Sequence, residues 1–107
     1  MIEVDVSNGF DLGCYHFEVV TGDAINRELS ARDRFGECSS MNCVVRVCTD
    51  WGQDQTHSTF MHEIIEAVNT HSCNGKIKHD EITTLANGMA QVFKSMGVMF
   101  EVSKVKE

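Results

Sequence analysis

The spacing of apolar residues is typical of a helix in the segment Phe60-Met61-His62-Glu63-Ile64-Ile65-Glu66-Ala67-Val68-Asn69. On a helical wheel, the apolar residues of this segment occupy one arc, and His62, Glu66 and Asn69 occupy another. The pattern predicts an amphipathic helix over residues 55–71. We expect its apolar side to pack against the rest of the protein and its polar side to face solvent or a cleft.

A second helix is predicted after Asn74 and Gly75, because glycine readily adopts the left-handed turn that ends a helix. Asp80 and Glu81 would lie in its first turn, where the helix dipole favours acidic side chains, and Gly97 would end it. Its apolar residues recur at the helical period and are expected to face the core: Ile82, Leu85, Ala86, Met89, Val92, Phe93 and Met96. The short connection predicts an αα-hairpin.

The first half of the chain alternates apolar and polar residues, which is typical of strands. Strands are predicted at residues 2–6 and 15–19, and a hairpin over residues 35–48. Residues 22–34 fit a short helix or an ordered loop. Residues 98–102 fit a last strand, and the alternative is that the end of the chain, with Lys106 and Glu107, is a frayed tail. The sequence thus predicts an α+β fold, a small antiparallel sheet followed by the αα-hairpin.

Composition limits the classes of protein that this chain can belong to. A chain of 107 residues with 42% apolar residues predicts a single domain over residues 1–107, without room for a separate substrate domain. No apolar run approaches the length of a membrane span, and the signal-peptide pattern is missing, so we expect a cytoplasmic protein that does not bind a membrane. The net charge of −7 argues against a nucleic-acid partner, because phosphate binding requires a clustered basic surface.

The cysteines admit two interpretations. An odd number of cysteines in a chain without an export signal favours free thiols over disulfides. The alternative is a zinc site at Cys38, Cys43 and Cys48, which are spaced five residues apart. In a strand, however, an odd spacing sends side chains to opposite faces, which weighs against this site.

A second, stronger metal-binding pattern lies in the helical half. Residues i and i+4 share one face of a helix, so His62 and Glu66 could hold one metal ion while Glu63 reaches a bound water. His79 is the best third ligand, because the turn returns the second helix beside the first. Two histidines and one carboxylate are the ligands of a catalytic zinc site with water in its fourth position. The plainer alternative is a solvated polar face, with His79 only a first-turn neighbour.

The ligand types bear on mechanism and metal. Glu63 would act as general base toward the metal-activated water. The anionic Glu66 reduces the Lewis acidity of the metal and could admit iron or manganese instead of zinc. Tyr15 or His16 is the only oxyanion donor that we can suggest. His57 and His71 fit surface positions better than ligand positions, and Trp51 and Met99 fit packing positions.

The residues around these ligands resemble a known family. The segments 59–69, 77–85 and 89–94 resemble small zinc metallopeptidases encoded by phages and prophages, whose motif has the form T-x-L-H-E-I-I-[HE]-A-[IV] followed by L-x-H-x-x-I-x-x-L. The resemblance covers about 45 residues, and it implies a minimal gluzincin-like fold in which His62, Glu66 and His79 bind the metal and Glu63 is the base. It also implies the cytoplasm of the host cell as the location.

Two functions from different classes follow. The favoured one is a metal-dependent hydrolase, a zinc metallopeptidase that acts on a peptide or protein substrate. The alternative is a non-enzymatic phage or host interaction protein that keeps the fold, with or without a structural metal. An open coordination position beside Glu63 would favour hydrolysis, whereas a fourth protein ligand, such as His57 or a cysteine, would favour a structural site.

Overall fold

A computed structural model describes residues 1–105, which form six strands and three helices. In chain order these are β1 (Ile2–Asp5), β2 (Phe10–Leu12), β3 (Tyr15–Val20), α1 (Asp23–Ala31), β4 (Gly36–Ser39), β5 (Val44–Val47), α2 (Gln53–Ser72), α3 (His79–Ser95) and β6 (Val98–Glu101). The predicted α+β class and the αα-hairpin are both confirmed. The expected tail at Lys106 and Glu107 lies outside the described residues.

The strands form a four-stranded sheet of order β2-β3-β5-β4 and a separate pair of β1 with β6. The predicted hairpin over residues 35–48 is the antiparallel pair β4 with β5. A strand that the sequence did not predict, β2, pairs antiparallel with β3. The pairs β3 with β5 and β1 with β6 are parallel instead. Parallel neighbours need a long connection, and α1 with β4 supplies it between β3 and β5. The sheet is therefore mixed, and β4 is one of its edge strands.

Helix α2 is at the centre of the molecule because it is buried along two faces. Phe60 and Ala67 pack into the core formed by the four-stranded sheet. Met61 and Ile65 pack against α3 in a second apolar cluster. A helix that is covered on two sides leaves only a narrow polar strip, and this strip carries His62 and Glu66.

The expectation that the whole apolar stripe of α3 faces the core is wrong. Ile82 and Ala86 are buried against α2 as predicted. The other side of the stripe is exposed to solvent, at Leu85, Met89, Val92 and Met96. The main packing partner of α3 is the single helix α2, and one helix cannot cover a stripe of this width.

Other sequence-based expectations are mostly confirmed. The helix within residues 22–34 is α1, the predicted last strand is β6, and Met99 is buried. Trp51, expected to pack inside, has 56% of its surface exposed. Within residues 1–105, none of the helices has the length and apolar character that crossing a membrane requires.

Candidate metal centre

The turn between α2 and α3 is held by the side chain of Asn69. Its Nδ2 donates a hydrogen bond to the carbonyl oxygen of Ile77 at 3.0 Å, and the backbone N–H of Ile77 donates to its Oδ1 at 2.9 Å. The N–H of Gly75 also donates to the backbone oxygen of Asn69, at 2.8 Å. These bonds fix the point at which α3 begins, and so they place His79 beside α2. The sequence pattern had assigned Asn69 only to the polar face.

His62, Glu66 and His79 converge where the two helices meet. Oε1 of Glu66 lies 3.5 Å from Nε2 of His62 and 3.4 Å from Nδ1 of His79. One donor atom from each of the three residues lies within 4.8 Å of the other two. Ligands placed about 2.0–2.1 Å from a tetrahedral zinc ion are about 3.3–3.5 Å apart. The two distances from Oε1 of Glu66 to the histidine nitrogens therefore match the spacing of zinc ligands. The group could hold a metal ion.

The three residues have different environments. His62 and Glu66 are partly covered by neighbouring elements, whereas the side chain of His79 is 74% exposed. Burial lowers the pKa of His62, the positive charge of a protonated His79 lowers it further, and Glu66 opposes both effects. A lowered pKa favours the neutral imidazole, which is the form that binds metal ions. The site is thus closed on the α2 side and open on the α3 side.

A cleft of about 550 Å³ lies beside these residues. One wall is the segment 34–36, which leads into β4, and the others are α2 and α3. The residues that line it are Arg34, Phe35, Gly36, Gln55, Ser58, Thr59, His62, Glu63, His79, Thr83 and Asn87. The hydroxyl of Ser58 donates to Oδ1 of Asn87 at 2.9 Å, which joins the two helices within the cleft.

Glu63 occupies the inner wall of the cleft and is only 6% exposed. Burial raises the pKa of its carboxyl to about 8. The negative charges of Glu66 and, to a smaller extent, Glu37 act in the same direction, whereas the positive charge of Arg34 opposes them. A carboxyl group with a pKa in this range can exchange a proton near neutral pH.

The burial of Glu63 depends on the close approach of β4 to α2. A Cβ atom at Gly36 would lie 2.6 Å from Cγ2 of Thr59 and 3.0 Å from Oε2 of Glu63. Such distances are shorter than van der Waals contact, so only glycine fits here without displacing its neighbours. The requirement is one of space between two elements, and the sequence offered no signal for it.

His57 is a core residue rather than the surface residue that the sequence indicated. It is 2% exposed. The N–H of Phe100 donates to its Nδ1 at 3.1 Å, and its Nε2 lies 2.9 Å from the carbonyl oxygen of Ala90. Because Nδ1 accepts a hydrogen bond from Phe100, it carries no proton in the neutral ring, and Nε2 must donate its N–H to Ala90. Both ring nitrogens are used, so His57 cannot be a fourth ligand.

The cysteines are free thiols, as predicted. Cys38 is near enough to Glu63 and Glu66 for their charges to raise the pKa of its thiol. That pKa is about 11. Burial is the main cause, and a hydrogen bond with Ser40 opposes it. A protonated thiol is a poor metal ligand. Within residues 1–105, no cysteine belongs to the group formed by His62, Glu66 and His79.

Tyr15 and His16 do not serve as oxyanion donors, contrary to expectation, because neither lines the cleft. The ring of Tyr15 packs on His71 with the centroids 4.6 Å apart, and Nδ1 of His16 lies 2.6 Å from Oδ1 of Asp11. His71 is thus packed against an aromatic ring and is not the free surface residue that we expected. The residue that brings positive charge to the cleft is Arg34.

Neither protein-family models, nor curated proteins, nor solved structures gave a match to this chain. The relationship to phage zinc metallopeptidases stays a prediction. The chemistry of the site therefore rests on the geometry of His62, Glu63, Glu66 and His79.

Proposed function

We propose that the protein is a metal-dependent hydrolase that cleaves peptide bonds. The observation that carries this proposal is the convergence of three donor atoms within 4.8 Å, from His62, Glu66 and His79. Two of the three ligand residues, His62 and His79, line an open cleft, and the buried Glu63 lines it as well. A catalytic zinc site needs this combination: three protein ligands, an open fourth position and a nearby base.

The surroundings favour a catalytic site over a structural one. A structural zinc site has four protein ligands. Of the candidates for a fourth ligand, His57 uses both ring nitrogens in other hydrogen bonds. Within the described residues, Cys38 is not part of the group of donor atoms formed by His62, Glu66 and His79. The exposure of His79 leaves the site accessible from the cleft.

Each residue has a distinct role in this proposal. When bound, the metal supplies Lewis acidity toward a water molecule and a substrate carbonyl. Hydrolysis adds water across the C–N bond. The ionised form of Glu63, which a nearby metal cation would favour, takes one proton of that water and delivers it to the leaving nitrogen. Arg34 brings positive charge to the same cleft, where negative charge develops during attack on a carbonyl.

We propose zinc as the metal. The spacing of Glu66 from the two histidines fits a tetrahedral ion, and imidazole with carboxylate is a common zinc ligand set. Iron and manganese are the alternatives, because a carboxylate ligand suits harder ions. Elemental analysis of protein purified without a chelator distinguishes the three metals.

The experiment that tests the function separates metal binding from catalysis. The variant Glu63→Gln should bind about one zinc ion per chain and cleave no peptide, because the amide keeps the shape and loses the base. The variant His62→Ala should lose both properties. His16→Ala, which changes an exposed histidine outside the cleft, is the matched control and should keep both.

Two results would contradict the proposal. If Glu63→Gln loses the metal, Glu63 is a ligand and not the base. If the wild-type protein carries no metal and binds none in a titration with zinc, iron or manganese, then His62, Glu66 and His79 are an ordinary polar surface.

A role in protein interaction is the second candidate function. It is favoured by the exposed apolar stripe of α3, formed by Leu85, Met89, Val92 and Met96, because such patches often mark interaction surfaces. This role without hydrolysis predicts that the zinc-loaded protein cleaves none of a broad mixture of peptides. Cleavage that Glu63→Gln abolishes would exclude a purely non-enzymatic role.

A further inference from the structure

Two exposed aromatic rings pack against each other, and one of them, Phe35, lines the cleft. The ring centroids of Phe35 and Trp51 are 5.4 Å apart, with an angle of 78° between the ring planes. Phe35 is 46% exposed and Trp51 is 56% exposed. Neither residue belongs to the two apolar clusters that form the core. This pair, the Phe35–Trp51 pair, is thus available for contact with another molecule.

Through Phe35, the Phe35–Trp51 pair borders the cleft that Glu63, His62 and His79 also line. Phe35 lines the cleft, and within residues 1–105 it is the one large apolar side chain that does so. It directly precedes Gly36, whose missing Cβ would stand 3.0 Å from Oε2 of Glu63. Consecutive Cα atoms are about 3.8 Å apart. Phe35 is therefore the chain neighbour of the glycine that lies against the proposed base.

The backbone holds Phe35 in this position. The N–H of Cys48 donates a hydrogen bond to the carbonyl oxygen of Phe35 at 2.8 Å, which continues the pairing of β4 with β5. Trp51 follows β5 and immediately precedes Gly52, which has a φ of 85°. A glycine accepts this left-handed conformation readily. Phe35 is thus placed by the paired strands, and Trp51 by the turn that precedes α2.

We propose that the Phe35–Trp51 pair is a specificity subsite that binds a large apolar side chain, preferably aromatic, of a peptide substrate next to the bond that is cleaved. This inference rests on the proposed function and adds the class of substrate. Most of the side chains that line the cleft are polar. An apolar side chain of the substrate would therefore be buried from water mainly by contact with this pair. Ring contacts of this kind favour an aromatic partner over an aliphatic one of equal area.

Trp51 provides a direct test because it is the only tryptophan of the chain. The zinc-loaded Glu63→Gln protein should be titrated with two alanine-based peptides that differ at one position, phenylalanine or alanine, while the fluorescence of Trp51 is recorded. The phenylalanine peptide should bind about two- to tenfold more tightly and change the emission. Phe35→Ala in the same background should remove this preference. Leu85→Ala, which alters an exposed apolar residue on α3, should keep it.

Cleavage of the same two peptides by the wild-type protein separates this inference from the proposed function. A preference for the phenylalanine peptide in both binding and cleavage supports both proposals. Equal binding of the two peptides, or a preference that survives Phe35→Ala, overturns the subsite, even if the protein cleaves both. A preference in binding that depends on Phe35, without any cleavage, supports the subsite and overturns the hydrolase.

Discussion

Gly36 of β4 lies so close to Glu63 of α2 that no other side chain fits between them. A Cβ at position 36 would be 3.0 Å from Oε2 of Glu63. This contact links the edge of the sheet to the central helix at the point where the proposed base is buried. The environment that raises the pKa of Glu63 to about 8 therefore depends on a residue that carries no functional group.

Gly36→Ala should destabilise the protein, because the new methyl group would stand 2.6 Å from Cγ2 of Thr59 and must push β4 and α2 apart. We expect the free energy of unfolding to fall by about 1–3 kcal/mol, as measured by urea denaturation. Gly88→Ala is the matched control: it lies within α3, with no atom near the added Cβ. That change should stabilise the protein by about 0.5–1 kcal/mol, since alanine favours a helix. If Gly36→Ala leaves the free energy of unfolding unchanged, the contact is not tight.

The stability of the metal-free protein should depend on pH through Glu63. The folded-state pKa of about 8 lies above the ordinary value of 4.5, so between these values the folded state binds a proton that the unfolded state has lost. The contribution of Glu63 to stability is thus fully present below about pH 4.5 and is lost as the pH rises through about 8. Glu63→Gln should remove this part of the pH dependence, in urea denaturation with a chelator present. Identical pH profiles for the two proteins would contradict it.

The charges that face Glu63 should move its pKa in opposite directions. Arg34→Gln removes a positive charge that lowers the pKa of Glu63, so the pKa should rise above about 8. Glu37→Gln removes a negative charge that raises it, so the pKa should fall. A titration of the Glu63 carboxyl carbon by NMR, in metal-free protein, measures both changes. Shifts of the same sign in the two variants would contradict this account of the site.

Glu66 decides whether the helix carries a metal site or an ordinary polar face. If Glu66 is a ligand, Glu66→His should retain zinc, because histidine offers a nitrogen donor at the same helical position. Glu66→Ala should lose it. Zinc titrations of the two variants by calorimetry provide the measurement. If Glu66 is only a solvated carboxylate, both variants will bind as much zinc as the wild type, and stability will change by less than about 0.5 kcal/mol.

Asn69 should be required for the placement of His79. Asn69→Ala removes both hydrogen bonds to Ile77, so the free energy of unfolding should fall by about 1–3 kcal/mol and zinc should bind about tenfold more weakly or worse. Thr70→Ala is the control on the same helix, because its exposed hydroxyl donates only to the backbone oxygen of Glu66. A loss of stability with unchanged zinc affinity would show that His79 does not depend on this turn.

The sequence by itself determined the two long helices and the candidate ligands. Helical periodicity is a local property, so it located α2 and α3. The four-residue spacing placed His62 and Glu66 on one face of α2, and the break at Gly75 indicated that the chain returns with His79. These inferences needed only neighbours along the chain, and their geometry agrees with the structure.

Only the tertiary structure decided which side chains are buried and what surrounds the site. The polar residues His57 and Asn69 are inside, because each satisfies backbone groups of another element, and no local pattern reports such a partner. Four of the seven apolar residues in the α3 stripe are exposed because α3 has one main packing partner. Gly36, Arg34 and Phe35 reach the cleft because the sheet edge lies against α2. Burial and proximity arise from contacts between residues distant in sequence, so they become visible only when the chain is folded.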